Sequence, residues 1–234
     1  MPGDDTIALP FLLTVLVFLP GLGIYSWYHL KRHKPLRPKK TRYVSLVIFE
    51  SSLLLMALGV AHFEGISLLG TAWPPLSAWL LGGTFVTAVL VRLHQRWKRL
   101  SDERKDRIRL LLPETPMEFA YWAPISILVG FAEEFAYRGV LYDLLHALTN
   151  STVVALIVCV VAFALAHLAQ GWKAMFGLAL FALLFHLSVF LTGTLHLAIA
   201  VHAAYDLFLG LVVMKLFMRD KFDAAQPAQP EFVS

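Results

Sequence analysis

Two adjacent glutamates and an arginine lie inside a long apolar segment, in the stretch FAEEFAYRGV at residues 131–140. Glu134 and Arg138 are four residues apart, so on a helix they share a face and can form an ion pair that offsets part of the cost of burying each charge. Glu133 is rotated by about 100° from Glu134 on the same helix. A free carboxylate beside a neutralised one suits a general base. The alternative is a structural charge cluster that links helices.

Two further pairs follow at the same spacing of four residues. Phe163 and His167 occur in FALAH, and His202 and Asp206 occur in HAAYD. Each pair presents two groups on one helix face. Ionisable residues inside a membrane span are costly, so each is a functional candidate by default. Glu50 is another such candidate, and the sequence reveals no partner for it. The remaining ionisable residues of the apolar segments are His62, Asp143, His146, His186 and His196.

The chain that must position these residues has the composition of an integral membrane protein. Of its 234 residues, 58% are hydrophobic and 15% are charged, and the mean hydropathy is +0.67. Soluble domains have about one quarter of their residues charged. Because about 20 apolar residues form a spanning helix, the sequence predicts an all-α fold, a polytopic transmembrane helical bundle of about seven helices. The predicted spans are residues 7–27, 43–63, 75–93, 122–148, 153–169, 174–191 and 195–218.

Lysine and arginine are concentrated in two blocks, at residues 31–42 and 92–109, whereas residues 65–75 contain neither. The positive-inside rule places both blocks in the cytoplasm, and we prefer this interpretation to nucleic-acid binding. The N-terminus is then outside and the C-terminus cytoplasmic, as an odd number of spans requires. The first span lacks a basic start and a clear cleavage site, so it is interpreted as a retained helix rather than a signal peptide. Cys159 is interpreted as a small buried hydrophobe.

Taken in order, the three motifs resemble the CPBP family, which includes CAAX prenyl proteases and bacteriocin-processing enzymes and is also called the Abi family. EEFAYR matches Glu-Glu-x-x-x-Arg, FALAH matches Phe-x-x-x-His, and HAAYD matches His-x-x-x-Asn/Asp. Gly139 and Gly193 also fall where such proteins commonly carry glycine. The resemblance covers residues 131–206, and the three N-terminal spans match no pattern that we can name.

The resemblance implies a glutamate-dependent intramembrane endopeptidase. Seven spans without obvious eukaryotic features suggest a prokaryotic cell membrane. By position, Glu133 would be the base that activates water, assisted by His167. Glu134 and Arg138 would form the supporting shell that orients Glu133. The substrate would be a membrane-associated protein or peptide in the lipid bilayer, and a prenylated protein, a leader peptide and a C-terminal sorting tail all stay open. No nucleic-acid partner is expected.

The resemblance also implies that His202 and Asp206 hold the oxyanion. Asparagine is commoner at the second position, and a carboxylate cannot donate a hydrogen bond unless it is protonated. We therefore expect Asp206 to orient His202 as an acceptor, while His202 donates. The predicted span ends place His167, Glu133 and His202 at depths that differ by about 10 to 15 Å. One predicted boundary must therefore be wrong, unless tilted or broken helices remove the mismatch.

Three alternatives remain open at this stage. Zinc could be bound by Glu133, His167 and His202, whose side chains are suitable ligands by type. However, the chain contains no HExxH motif, and the resemblance favours chemistry without a cofactor. Intramembrane acids and histidines also occur in transporters and proton relays. A non-catalytic family member could act as a membrane immunity or scaffold protein.

The chain is predicted to have three parts. Residues 1–113 form an N-terminal three-helix membrane region with basic cytoplasmic loops. Residues 114–222 form the helical core that carries all three motifs. The last part, residues 223–234, is polar and contains proline, so it is predicted to be a disordered tail.

Overall fold

The structure is a computed structural model, and it describes residues 5–31, 38–70 and 72–225. These residues form helices and connecting turns, and the described part of the chain contains no strand. The α-helices are α1 (Asp5–Leu13), α2 (Leu19–Lys31), α3 (Lys39–Glu64), α4 (Leu76–Arg96), α5 (Asp102–Leu111), α6 (Pro116–Glu133), α7 (Tyr142–Thr149), α8 (Thr152–Ala166), α9 (Trp172–Thr192) and α10 (His196–Ala225).

Shorter helical segments of other types connect some of these helices. A π-helical segment, Thr14–Phe18, joins α1 to α2, and a second one, Glu134–Leu141, joins α6 to α7. The chain therefore stays helical from residue 116 to residue 149. Two 3₁₀ turns, Trp97–Arg99 and Leu168–Gln170, follow α4 and α8. Local π-helix is rare and occurs frequently at functional sites, and the second segment here contains most of FAEEFAYRGV.

The predicted polytopic helical bundle is confirmed. Among the described residues, five helices are long and apolar enough to cross a membrane, and many of their large apolar side chains face outward, including Leu55 and Leu80. Such a surface is stable in lipid and not in water. The five helical segments are Ala8–Leu30, Lys39–Glu64, Leu76–Arg99, Trp172–Thr192 and His196–Ala225.

Two of the seven predicted spans, residues 122–148 and 153–169, are not among these five segments. Residues 122–148 lie within the continuous helical run of residues 116–149. Residues 153–169 were expected to cross the membrane, but α8 has only 15 residues and ends at Ala166. At 1.5 Å per residue it is about 22 Å long, which is less than the roughly 30 Å of a hydrocarbon core. His167 caps the helix with a backbone that has left the helical conformation. The histidine therefore lies at a helix end inside the bundle.

Close contact between α6 and α10 forms the centre of the bundle. A Cβ added at Gly130 of α6 would lie 2.9 Å from the Cβ of Ala203 and 3.1 Å from its backbone nitrogen. Small residues permit such approach between membrane helices. Further along, the indole of Trp122 donates a hydrogen bond of 2.9 Å to the backbone carbonyl of Asp206. These contacts set the glutamates that follow Gly130 against the histidine that precedes Ala203.

The ends of α7, α8 and α9 have local causes in the sequence. Asn150 takes the left-handed conformation that ends α7, with φ of 49°, as asparagine can. Ser151 then caps α8, since its hydroxyl accepts from the backbone N–H of Val154 at 3.3 Å. Gly193 ends α9 with φ of 67°, a conformation that favours glycine. This turn lets α10 run back beside α9.

Polar contacts tie the two basic regions to the rest of the bundle. Lys39 bridges Glu114 at 3.0 Å and Glu118 at 2.9 Å, and Lys105 pairs with Asp220 at 3.0 Å. Much of the first basic block, residues 32–37, lies outside the described residues. Membrane orientation stays a prediction.

The end of α10 extends past the predicted boundary of the ordered core. Residues 223–225 were expected to begin a disordered tail, but they continue α10. Residues 226–234, the rest of that predicted tail, lie outside the described residues.

Candidate active site

Glu133, His167 and His202 come together in the interior of the bundle. Glu133 is the last residue of α6, His167 caps α8, and His202 lies in the second turn of α10. Glu133 Oε1 is 3.5 Å from His167 Nε2, and Glu133 Oε2 is 3.7 Å from His202 Nε2. The side chains of Glu133 and His202 are each 9% exposed, and that of His167 is 20% exposed. A carboxylate and two imidazole nitrogens thus face one small space.

This convergence removes the depth mismatch that the predicted spans produced. The mismatch assumed that His167 lay near the inner end of a full span. Because α8 stops at Ala166, three residues before the predicted boundary, about 4.5 Å of the mismatch is removed. The packing of α6, α8 and α10 places His167 beside Glu133. The motifs were therefore a better guide to the site than the hydropathy boundaries.

Glu134 occupies a different environment from its neighbour. The predicted ion pair is confirmed, with 3.2 Å between Glu134 Oε1 and Arg138 Nη1, and both side chains are fully buried. The same Oε1 atom accepts a hydrogen bond of 2.7 Å from His202 Nδ1. A carboxylate oxygen can only accept here, so His202 carries its proton on Nδ1. Glu134 therefore fixes the ring so that Nε2 points toward Glu133.

The prediction that Asp206 orients His202 is wrong, because Glu134 takes that position. Asp206 Oδ2 lies 3.8 Å from His202 Nε2, which is too long for a hydrogen bond. Asp206 does stand at the mouth of the same space, and its side chain is 18% exposed. Its carboxylate can balance charge on the ring without orienting it.

Phe163, the aromatic residue of the FALAH motif, makes two contacts with residues of the site. The backbone carbonyl of Phe163 accepts a hydrogen bond of 2.8 Å from His167 Nδ1. This contact leaves Nε2 as the atom that faces Glu133. The ring of Phe163 lies under Arg138, with 4.5 Å between the guanidinium carbon and the ring centroid. Such cation–π contact stabilises a buried cation.

Phe185 is a neighbour of the site that the sequence did not reveal. It lies on α9, and its ring centroid is 5.4 Å from the Arg138 guanidinium carbon and 5.5 Å from the His202 ring. Arg138 thus lies close to the rings of both Phe163 and Phe185. No signal in the sequence marks Phe185, because α9 is mostly apolar and contains several phenylalanines.

Glu50 belongs to the surroundings of the site. Glu50 is only 3% exposed, and its carboxylate interacts electrostatically with Glu133 and Asp206. Its Oε2 atom has no hydrogen-bond partner among the described residues. It lies on α3, which packs against α6. The sequence identified this acid as unusual but could not identify its neighbours, which are far away along the chain.

Three further histidines of the spans contact aromatic rings rather than the carboxylates of this cluster. His186 is buried against the ring of Tyr142, and His146 stacks on the same ring. His196 stacks on Trp73. These histidines therefore pack against aromatic rings, as the simpler interpretation of an intramembrane histidine expects.

The possible metal ligands that the structure describes do not form a recognisable metal site. Among the described residues, no group of three or more histidine, cysteine, aspartate or glutamate side chains is arranged to hold a metal ion. The set named from the sequence, Glu133, His167 and His202, is brought together by the fold. That the reaction needs no zinc stays a prediction.

Comparison with known proteins identifies a family over the part of the chain that holds this site. Residues 115–208 match the family described as type II CAAX prenyl endopeptidase Rce1-like. The match confirms the resemblance that the three motifs predicted, and it contains all six of the predicted site residues. No curated protein and no solved structure gives a match to the chain.

Proposed function

We propose that this chain, which carries an Rce1-like segment over residues 115–208, is an intramembrane endopeptidase that cleaves a membrane-associated protein or peptide. The observation that carries the proposal is the position of Glu133, which faces the Nε2 atoms of two histidines, at 3.5 Å for His167 and 3.7 Å for His202. A carboxylate next to imidazoles, largely shielded from solvent, is suited to take a proton from water.

In the proposed reaction, one water molecule lies between Glu133 and His167. Glu133 takes a proton from this water while the oxygen attacks the carbonyl carbon of the scissile peptide bond. His167 Nε2 shares the hydrogen bonding of that water, since its Nδ1 is held by the Phe163 carbonyl. When the carbon–nitrogen bond breaks, Glu133 returns the proton to the leaving amine. The products are a carboxylic acid and an amine, which together hold both hydrogens of the water, so the protons balance.

The negative charge that develops on the carbonyl oxygen needs a donor. His202 already donates a hydrogen bond from Nδ1 to Glu134. It can therefore donate from Nε2 as well only when the ring carries both protons. The carboxylates of Glu133, Glu134 and Asp206 surround this ring and balance its positive charge. A preorganised donor in a site of low dielectric stabilises an oxyanion more than the same donor in water.

The test compares membrane proteins from cells that carry the wild-type chain or the Glu133→Gln variant. Glutamine keeps the shape of glutamate but cannot accept a proton at neutral pH. New protein termini that depend on the wild-type chain identify the substrate, which is then cleaved by purified protein. We expect Glu133→Gln to accumulate normally and to cleave about 10² to 10⁴ times more slowly.

Two comparisons make the test specific. His167→Ala should behave like Glu133→Gln, and the double variant should be little worse than either single variant because both residues act on one water. Asp143→Asn is the matched control, since Asp143 lies on the same helical run and its charge interacts with His146 rather than with the site. Cleavage by Glu133→Gln at the wild-type rate would refute the proposed function.

A further inference from the structure

Helix α2 packs against the end of α8 at Gly23. A Cβ added at Gly23 would lie 2.2 Å from the backbone oxygen of Leu165, 2.7 Å from that of Ala166 and 2.9 Å from the carbonyl carbon of Ala166. Real Cβ atoms essentially never come this close to other heavy atoms. All three neighbours are backbone atoms, so no change of rotamer can make room. A side chain at this position would therefore push α2 and the end of α8 apart.

The atoms that Gly23 touches belong to the two residues directly before His167. The backbone N–H of His167 bonds to Ala164 at 3.2 Å, and its ring bonds to Phe163, so the histidine is attached to the last turn of α8. A displacement of this turn must move the imidazole. The contact thus links an N-terminal helix, outside the segment that matches the family, to a residue of the candidate active site.

After His167, the same part of the chain is held by a residue of α5. Arg107 of α5 donates a hydrogen bond of 3.3 Å to the backbone oxygen of Ala169. His167 therefore lies between two supports, the backbone of α2 and this hydrogen bond. Neither support belongs to the three motifs.

We propose that Gly23 is a positioning residue, and that its lack of a side chain sets the distance between His167 and Glu133. This inference rests on the proposed function, in which the two residues hold one water. Ordinary contact would require the end of α8 to shift by about 1 Å, and a misplacement of that size can lower a rate about 10²-fold. We expect Gly23→Ala to lower kcat by about 10- to 100-fold and to leave KM nearly unchanged, because the substrate is still bound.

Gly21 provides a matched control in the same helix. A Cβ added at Gly21 meets nothing within 4 Å, and alanine is a better helix former than glycine at both positions. Gly21→Ala should cleave at the wild-type rate. Equal activity of the Gly23→Ala and Gly21→Ala variants would overturn the inference.

A chain without the His167 imidazole shows whether the loss of activity in Gly23→Ala depends on this histidine. In a His167→Ala chain, Gly23→Ala should cause no further loss of activity, since there is no imidazole left to displace. An unchanged loss in this background would overturn the positioning role and indicate general damage to the fold. Hydrogen exchange provides a readout apart from activity. We expect faster exchange at residues 163–171 in Gly23→Ala than in Gly21→Ala, with α10 unchanged.

Arg107→Gln keeps the inference testable if Gly23→Ala does not accumulate. This substitution removes the hydrogen bond to the Ala169 carbonyl. We expect it to lower kcat by a few fold without changing KM. This loss should occur only when His167 is present. If Arg107→Gln has no effect and Gly23→Ala does not fold, Gly23 has a structural role only. Both outcomes are distinct from failure of the proposed function, which is decided by cleavage in Glu133→Gln.

Discussion

Replacing Arg138 with alanine is expected to destabilise the whole protein, because it leaves a carboxylate buried without its cation. Arg138 Nη1 lies 3.2 Å from Glu134 Oε1, and both side chains are 0% exposed. Removing one partner of a buried ion pair costs about 3 to 5 kcal/mol, since the remaining charge is uncompensated. The His202 hydrogen bond to Glu134 remains, but a single donor does not replace a full charge.

The size of this loss is large relative to the stability of a typical protein. Native proteins are stable by about 5 to 15 kcal/mol. For a free energy of unfolding of about 10 kcal/mol, the substitution therefore removes about a third to a half of the stability. For a chain of this length, 1 kcal/mol corresponds to a change in Tm of about 2 to 4 °C. Arg138→Ala should therefore lower Tm by roughly 6 to 20 °C. Activity should also fall, because the Glu134 carboxylate that holds His202 loses its support.

A double variant separates the charge from the packing. Glu134→Gln combined with Arg138→Met removes both charges and keeps most of the volume, so it should melt well above Arg138→Ala. Its activity should stay low, because no carboxylate then accepts the hydrogen bond from His202 Nδ1. Thermal melting of purified protein in one detergent, with the cleavage assay in parallel, measures both effects. An Arg138→Ala protein with wild-type Tm, or a double variant that melts no higher than the single one, would show that the pair contributes little.

Two further predictions concern metal dependence and membrane orientation. Purified protein should keep its activity after treatment with a strong zinc chelator. If the chelator abolishes turnover and added zinc restores it, the alternative in which Glu133, His167 and His202 bind a metal is favoured. The second test places a single cysteine at position 104, which is exposed on α5, in a chain that carries Cys159→Ala. This cysteine should not react with an impermeant thiol reagent added to intact cells. Reaction from outside would overturn the predicted orientation.

Local parts of the site could be predicted from the sequence. The Glu134 and Arg138 pair depends on a spacing of four residues within one helical run, and this spacing is visible in the printed chain. The contact between Glu134 and His202 joins residues 68 positions apart, and no local pattern encodes it. Phe185 was missed for the same reason, because only the packing of α9 against α10 brings it to the site.

The boundary of α8 shows why hydropathy gave the wrong depth. The residues after Ala166 include Leu168 and Ala169, so apolar character continues past the point where the helix ends. A hydropathy window therefore cannot detect the end. The seven predicted spans still gave the correct fold class, because each long apolar run does form helix. Depth within the bundle depends on tertiary contacts such as the one at Gly23, which a window along the chain does not contain.

The charges around Glu133 allow the proposed reaction to proceed without moving net charge into the membrane. Before attack, Glu133 is negative and the substrate carbonyl is neutral. After attack, Glu133 is protonated and the negative charge is on the substrate oxygen, beside His202 Nε2, which lies 3.7 Å from Glu133 in the free protein. The charge shifts by only a few ångströms, and Arg138 and the His202 ring stay nearby. Creating a new charge in a medium of low dielectric would be costly. A short displacement within an already balanced cluster avoids that cost, and it gives a physical reason for burying two glutamates and an arginine within six residues.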